Sequence, residues 1–198
     1  FGFNREESLE EYNTAEHLIL MLVDTVSRGG NLLLDVGPTH DGRIPVIMEE
    51  RLAKIGSWLD VNGEAIYGSR RWIKDAQWSA GARPEFTKED HHTGNALTES
   101  TIRPKPGNAS REAMFTSKGN TVYALSPGWP VGKTLIIRDV SPSDATDVSL
   151  LGSEKELSWR SVDNTIEIDL TNIGIHDLPC EHVFTFKLTD IKPHLQND

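Results

Sequence analysis

The residues whose types first suggest chemistry are a histidine pair, His91-His92, and the string Gly128–Thr134 (GWPVGKT). An adjacent pair in a polar stretch, with no third ligand at a recognisable interval, does not build a metal site, so it reads as solvated loop histidines and no metal is expected. GWPVGKT ends in Gly-Lys-Thr as a phosphate-binding loop does. It lacks the earlier glycine at the required offset and leads into a strand instead of a helix, so the phosphate reading fails. Carboxylates are plentiful, but Glu6, Glu7, Glu10 and Glu11 form an acidic run ahead of a helix, where the dipole favours them. Glu49 and Glu50 lie on the wet side of a second helix. Cys180 is the single cysteine. It can form no intrachain disulfide and has no nameable histidine partner, so it reads as a small core residue. Asn108-Ala109-Ser110 is an N-glycosylation sequon in a loop.

The elements around these residues belong to two grammars. Hydrophobic residues make up 37% of the 198 and charged residues 25%, as in a globular protein. A formal net charge of −10 would repel nucleic acid and anionic membranes, so neither is expected as a partner. The longest apolar run, Leu18–Val23, is far too short to span a bilayer. There is no signal-peptide pattern, and the abrupt opening FGFNREE leads to the expectation of a further N-terminal portion.

Asn13 or Thr14 can cap a helix over Ala15–Ser27, with Leu18, Leu22 and Thr25/Val26 as its stripe and Gly29 or Gly30 as its end. Asn31–Gly37 (NLLLDVG), short and apolar on both faces, predicts a strand of a helix-covered parallel sheet. Asp41-Gly42 is a turn. A second helix follows, with Pro45 in its first turn, Asn62-Gly63 as its stop and Ile47, Leu52, Ile55, Trp58 and Leu59 as its stripe. Gly68–Trp78 reads as a connector and 79–111 as long polar loops with room for one short strand.

From Glu112 the pattern is all-β. A hairpin is predicted around Lys118-Gly119-Asn120, and further strands lie within Lys133–Val140, Asp147–Gly152, Leu157–Leu170 and His182–Ile191. Ile166, Ile168 and Leu170 alternate with Glu167 and Asp169, and Phe184, Phe186 and Leu188 with Thr185 and Lys187. A lone helix–strand–helix unit cannot make its own sheet. The fold class expected is therefore the α/β tail of a (β/α)8-like barrel over residues 1–70, followed by an antiparallel β-sandwich over 71–198, with connector and loops at 71–111.

FGFN, TAEHLILMLVDTVSRGGNLLLDVGPTHDGRIP and ERLAKIGSWLDVNGEAIYGSRRW resemble the C-terminal part of the retaining α-L-fucosidases of glycoside hydrolase family 29. The similarity is dense over residues 1–72 and present again in FTSKGNTVYAL and the terminal strands. It implies a parent enzyme that releases terminal L-fucose from glycans or glycoconjugates, without metal or organic cofactor. Such chemistry needs two carboxyl groups about 5–5.5 Å apart. The family's nucleophilic Asp and acid/base Glu lie upstream of the matching segment, so no catalytic residue is assigned in this chain, which alone is expected to be inactive. The implied partners are a fucosylated glycan and the N-terminal part of its own barrel; an oligomer is left open. The implied location is the secretory route, whether lysosomal, extracellular or periplasmic.

Phe1 matches the aromatic that walls the family's fucose pocket, where it would cover the apolar C5 methyl; the alternative is rim packing. Phe3 stands for the commoner Tyr and reads as packing. Asp35 stands where the family usually has Asn, near the end of the expected strand. It either alters the pocket or hydrogen-bonds the next loop, and the second reading is preferred. Trp72, Trp78, Trp129 and Trp159 are spread over connector and sandwich and read as packing. Their number keeps a non-catalytic carbohydrate-binding module open as a rival, beside an inactive structural homologue.

Overall fold

The computed structural model describes residues 3–84 and 98–193. Three layers stack: two helices, a five-stranded antiparallel sheet and a three-stranded one. Helix α1 spans Ala15–Ser27. The Thr14 hydroxyl accepts the His17 N–H at 3.1 Å at its start, and Gly29, at φ +86°, turns the chain away after its end. Helix α2 spans Val46–Asn62 directly after Pro45, where a missing N–H costs nothing.

The strands are β1 (Arg70–Trp78), β2 (Arg111–Lys118), β3 (Thr121–Pro127), β4 (Thr134–Arg138), β5 (Val140–Ser141), β6 (Val148–Leu150), β7 (Ser158–Val162), β8 (Thr165–Asp169), β9 (Val183–Thr189) and β10 (Lys192–Pro193). The large sheet runs β1-β2-β3-β9-β6 and the small one β4-β8-β7, with β10-β5 a two-residue clip. Lys118 pairs with Thr121 across Gly119-Asn120, as the hairpin signal predicts, and Gly119 takes the positive φ that turn demands.

Two cores result. Phe115, Phe186, Leu150, Ile137, Ile166, Ile168 and Leu170 fill the space between the sheets. Ile19, Leu20, Val23 and Trp58 from the helices meet Met114, Tyr123, Leu125 and Val183 on the other face of the large sheet. Polar ties register this second contact: Trp58 Nε1–H donates to the Val183 carbonyl at 2.8 Å, and the Thr116 hydroxyl to the Ala65 carbonyl at 2.7 Å. The Tyr123 hydroxyl donates to Glu64 at 2.8 Å, which also pairs with Lys187 at 2.7 Å.

Four expectations change. Residues 31–37 form no strand: among the described residues they have no ladder partner, although burial still alternates along them. The stretch expected as a connector contains β1, an edge strand paired with β2, with its register shifted between Arg71 and Ala76. Thr185, expected on the wet face of β9, is fully buried because the helices cover that side. On α1 the buried residues against the sheet are Ile19, Leu20 and Val23; of the expected stripe, Leu22 packs on the same core but stays half-buried, as does Val26.

The edge of β4 is closed by one side chain. Gln77 donates its Nε2–H to the Ile136 carbonyl at 2.7 Å and accepts the Arg138 N–H at 2.8 Å, copying the two bonds of a neighbouring strand.

Candidate functional site

The extended run 31–37 crosses the open side of the helical layer, and a cavity of about 140 Å³ forms beneath it. Leu18 of α1, Met48 and Leu52 of α2, and Leu34 and Val36 supply its apolar wall; Glu7, Tyr12, Asp35 and Arg51 supply the polar one. Sequence dictates this division. Leu32, Leu34 and Val36 are half-buried, while Asn31, Leu33 and Asp35 are exposed, Leu33 to 92%, so that Asp35 lines the cavity from an exposed position.

Local bonds hold the walls. Glu11 Oε2 accepts the Ser8 N–H at 2.6 Å and closes the turn before Tyr12. Arg51 Nε donates to the Asn13 carbonyl at 3.0 Å, fastening α2 to the residue before the α1 cap. The turn after Asp35 is closed by the Thr39 N–H donating to the Arg43 carbonyl at 2.8 Å. Arg5 meets His40 of the same turn at 3.2 Å. Burial and the neighbouring Glu7 and Glu11 carboxylates raise the pKa of the Tyr12 phenol, which therefore stays a hydrogen-bond donor.

Asp35 is exposed and makes no hydrogen bond to the following loop among the described residues, so the preferred loop-bonding reading has no bond behind it. Phe1 and His91-His92 lie outside the described residues. Asn108 is exposed, its backbone N–H donating to the Lys105 carbonyl at 3.1 Å in a turn. Among the described residues no cluster of three or more His, Cys, Asp or Glu could hold a metal ion. Cys180 is half-buried, its thiol donates to the Val183 carbonyl at 3.3 Å, and burial raises its pKa, the reverse of an activated nucleophile. Glu50 pairs with Lys54 at 3.1 Å on the surface of α2. Sequence reasoning passed over Tyr12 and Arg51. The available signal was an aromatic closing an acidic run just before a helix cap.

Residues 1–64 match the family model described as Alpha-L-fucosidase, and residues 107–189 the one described as Alpha-L-fucosidase C-terminal domain. The chain belongs to the α-L-fucosidase family. The plasma α-L-fucosidase of Rattus norvegicus is 35% identical over 195 residues, a span covering 96% of this chain and 36% of that protein. The tissue α-L-fucosidase of Homo sapiens is 32% identical over 193 residues, with 97% and 35% covered. The solved structure of the Thermotoga maritima α-fucosidase in complex with fucose superposes with a TM-score of 0.68 at 30% identity, over 96% of this chain and 37% of that one. Helices followed by antiparallel sheets is thus the order found in fucosidase structures. The chain spans about 36% of the length of the first of these relatives.

Proposed function

We propose that this chain is the C-terminal part of a retaining exo-α-L-fucosidase, with residues 1–70 ending its catalytic barrel and 71–198 forming its β-sandwich domain. The observation that carries the reading is the helical layer itself, which is apolar on two sides. One side is packed on the large sheet. Outside that contact, Val26 is half-buried, Val46 is 80% exposed and Leu33 92%. A layer apolar on both sides needs two covering layers, and the barrel of the parent enzyme is the second.

In that enzyme the two catalytic carboxyl groups, about 5–5.5 Å apart, come from segments preceding this one. One attacks the anomeric carbon while the other protonates the departing oxygen; water then releases fucose with retained configuration. Phe1 covers the fucose methyl and Asp35 stands at the rim of the pocket. No cofactor is required. The substrates are fucosylated glycans or glycoconjugates, and the route is secretory, in keeping with plasma relatives and an exposed sequon at Asn108. The test is release of p-nitrophenol from its α-L-fucoside. The longer natural protein releases it and the purified chain alone does not. Turnover by the isolated chain, free of contaminating enzyme, overturns the division of labour.

A further inference from the structure

A second cavity, about 350 Å³, opens on the β-sandwich between the turn after β3 and the edge strand β4. Trp129 lines it, held edge-on against Phe184 at 5.0 Å between ring centroids and 83° between planes. Val131, 98% exposed, and Ile136, 38% exposed, extend the apolar surface. Glu112 and Arg138 supply the polar part, paired at 2.6 Å from one sheet to the other. Gln77 Nε2 donates to the same Glu112 oxygen at 3.1 Å and so fixes the carboxylate. The Arg138 and Glu112 side chains remain 41% and 31% exposed, which leaves N–H groups and lone pairs for a ligand.

We propose that this cleft is a sugar-binding site that takes one neutral pyranose of a glycan. An indole beside a fixed carboxylate–guanidinium pair matches the two kinds of surface a pyranose offers. Its C–H face packs on an aromatic ring, and vicinal hydroxyls meet a planar ion through paired hydrogen bonds. The volume lies within the range of small-molecule pockets and holds a monosaccharide without enclosing a longer chain. Charge selects for neutrality: Glu112 and Arg138 offset one another, and the net charge of −10 disfavours an anionic sugar. Burial works to raise the Glu112 pKa, but the Arg138 and Gln77 hydrogen bonds outweigh it and the net shift is downward, so the acceptor persists in mildly acidic solution.

The full chain is titrated separately with methyl α-L-fucopyranoside, methyl β-D-galactopyranoside and N-acetyllactosamine, followed by saturation-transfer NMR and tryptophan fluorescence. At least one of the three is expected to saturate in the millimolar range. Trp129 also packs on the core, so the variants are Glu112→Gln, which keeps the shape, and Thr134→Trp, which fills the cleft from an exposed position. With melting temperature unchanged, the first weakens binding about tenfold and the second abolishes it. No saturable signal from any of the three up to about 50 mM, or binding untouched by both variants, overturns the proposal.

Discussion

Asp24 and Arg111 join α1 to β2, and their chemistry predicts an asymmetric mutational response. The Arg111 side chain is 1% exposed and Asp24 18%. Trp78 faces the guanidinium at 5.1 Å, the Met114 sulfur lies 3.7 Å away, and Nε–H has no acceptor. Burial lowers the guanidinium pKa by more than the Asp24 charge raises it. The attraction therefore repays only part of the desolvation. Removing the anion alone, by Asp24→Ala, strands a buried cation and is expected to cost about 3–5 kcal/mol. Arg28, the second partner of Asp24, is 47% exposed and can turn to water. Replacing both members, with Arg111→Met and Asp24→Leu, removes the desolvation together with the pair and is expected to restore stability to within about 1 kcal/mol of the parent, or above it. Urea unfolding of the parent, both single variants and the double variant closes the cycle. A cost below about 1 kcal/mol for Asp24→Ala, or a double variant no more stable than that single one, refutes the reasoning.

Three further outcomes are expected. His17 is buried, meets the Thr98 hydroxyl at 3.0 Å, and has its pKa lowered from 6.5 because burial outweighs the nearby Glu16 charge. The unfolded chain then binds a proton the folded chain resists, so stability falls as pH drops from 6.5 toward the depressed folded value; His17→Gln should flatten that slope in urea midpoints taken at several pH values. Gly152 sits at φ +77°, and a Cβ there would lie 2.6 Å from Val61 Cγ1 and 2.9 Å from Pro179 Cβ. Gly152→Ala should cost about 1–3 kcal/mol, and a melting temperature equal to that of the parent would count against it. In the proposed parent enzyme, Phe1→Ala should lower the specificity constant for the fucoside about 10–200-fold and narrow its lead over the pentopyranoside lacking the methyl; an unchanged ratio returns Phe1 to rim packing.

The sandwich strands were legible because their signal is local. Ile166, Ile168 and Leu170 alternate with charged residues, and Gly119-Asn120 marks its own hairpin. What depended on distant layers was not. The residues 31–37 carry a strand's composition, but a strand is completed by a neighbour, and none stands beside them among the described residues. Strand β1 was hidden by mixed burial along Arg70–Trp78 and by its register shift against β2. Thr185 looks like a wet-face residue until a helical layer covers it. The same limit governs the sites. Asp35 was visible as a departure from a family string, and Asn108 as a tripeptide. The Glu112–Arg138 pair spans 26 residues and two sheets, and nothing in either local sequence announces the other.

The most direct test isolates the natural protein with an antibody raised against this chain, measures its intact mass, and follows hydrolysis of an aryl α-L-fucoside by proton NMR. The expected result is a mass well above 22.0 kDa and α-L-fucose as the first anomer released. A natural product of 22.0 kDa, or a larger one that leaves the fucoside intact or releases the β-anomer first, contradicts it.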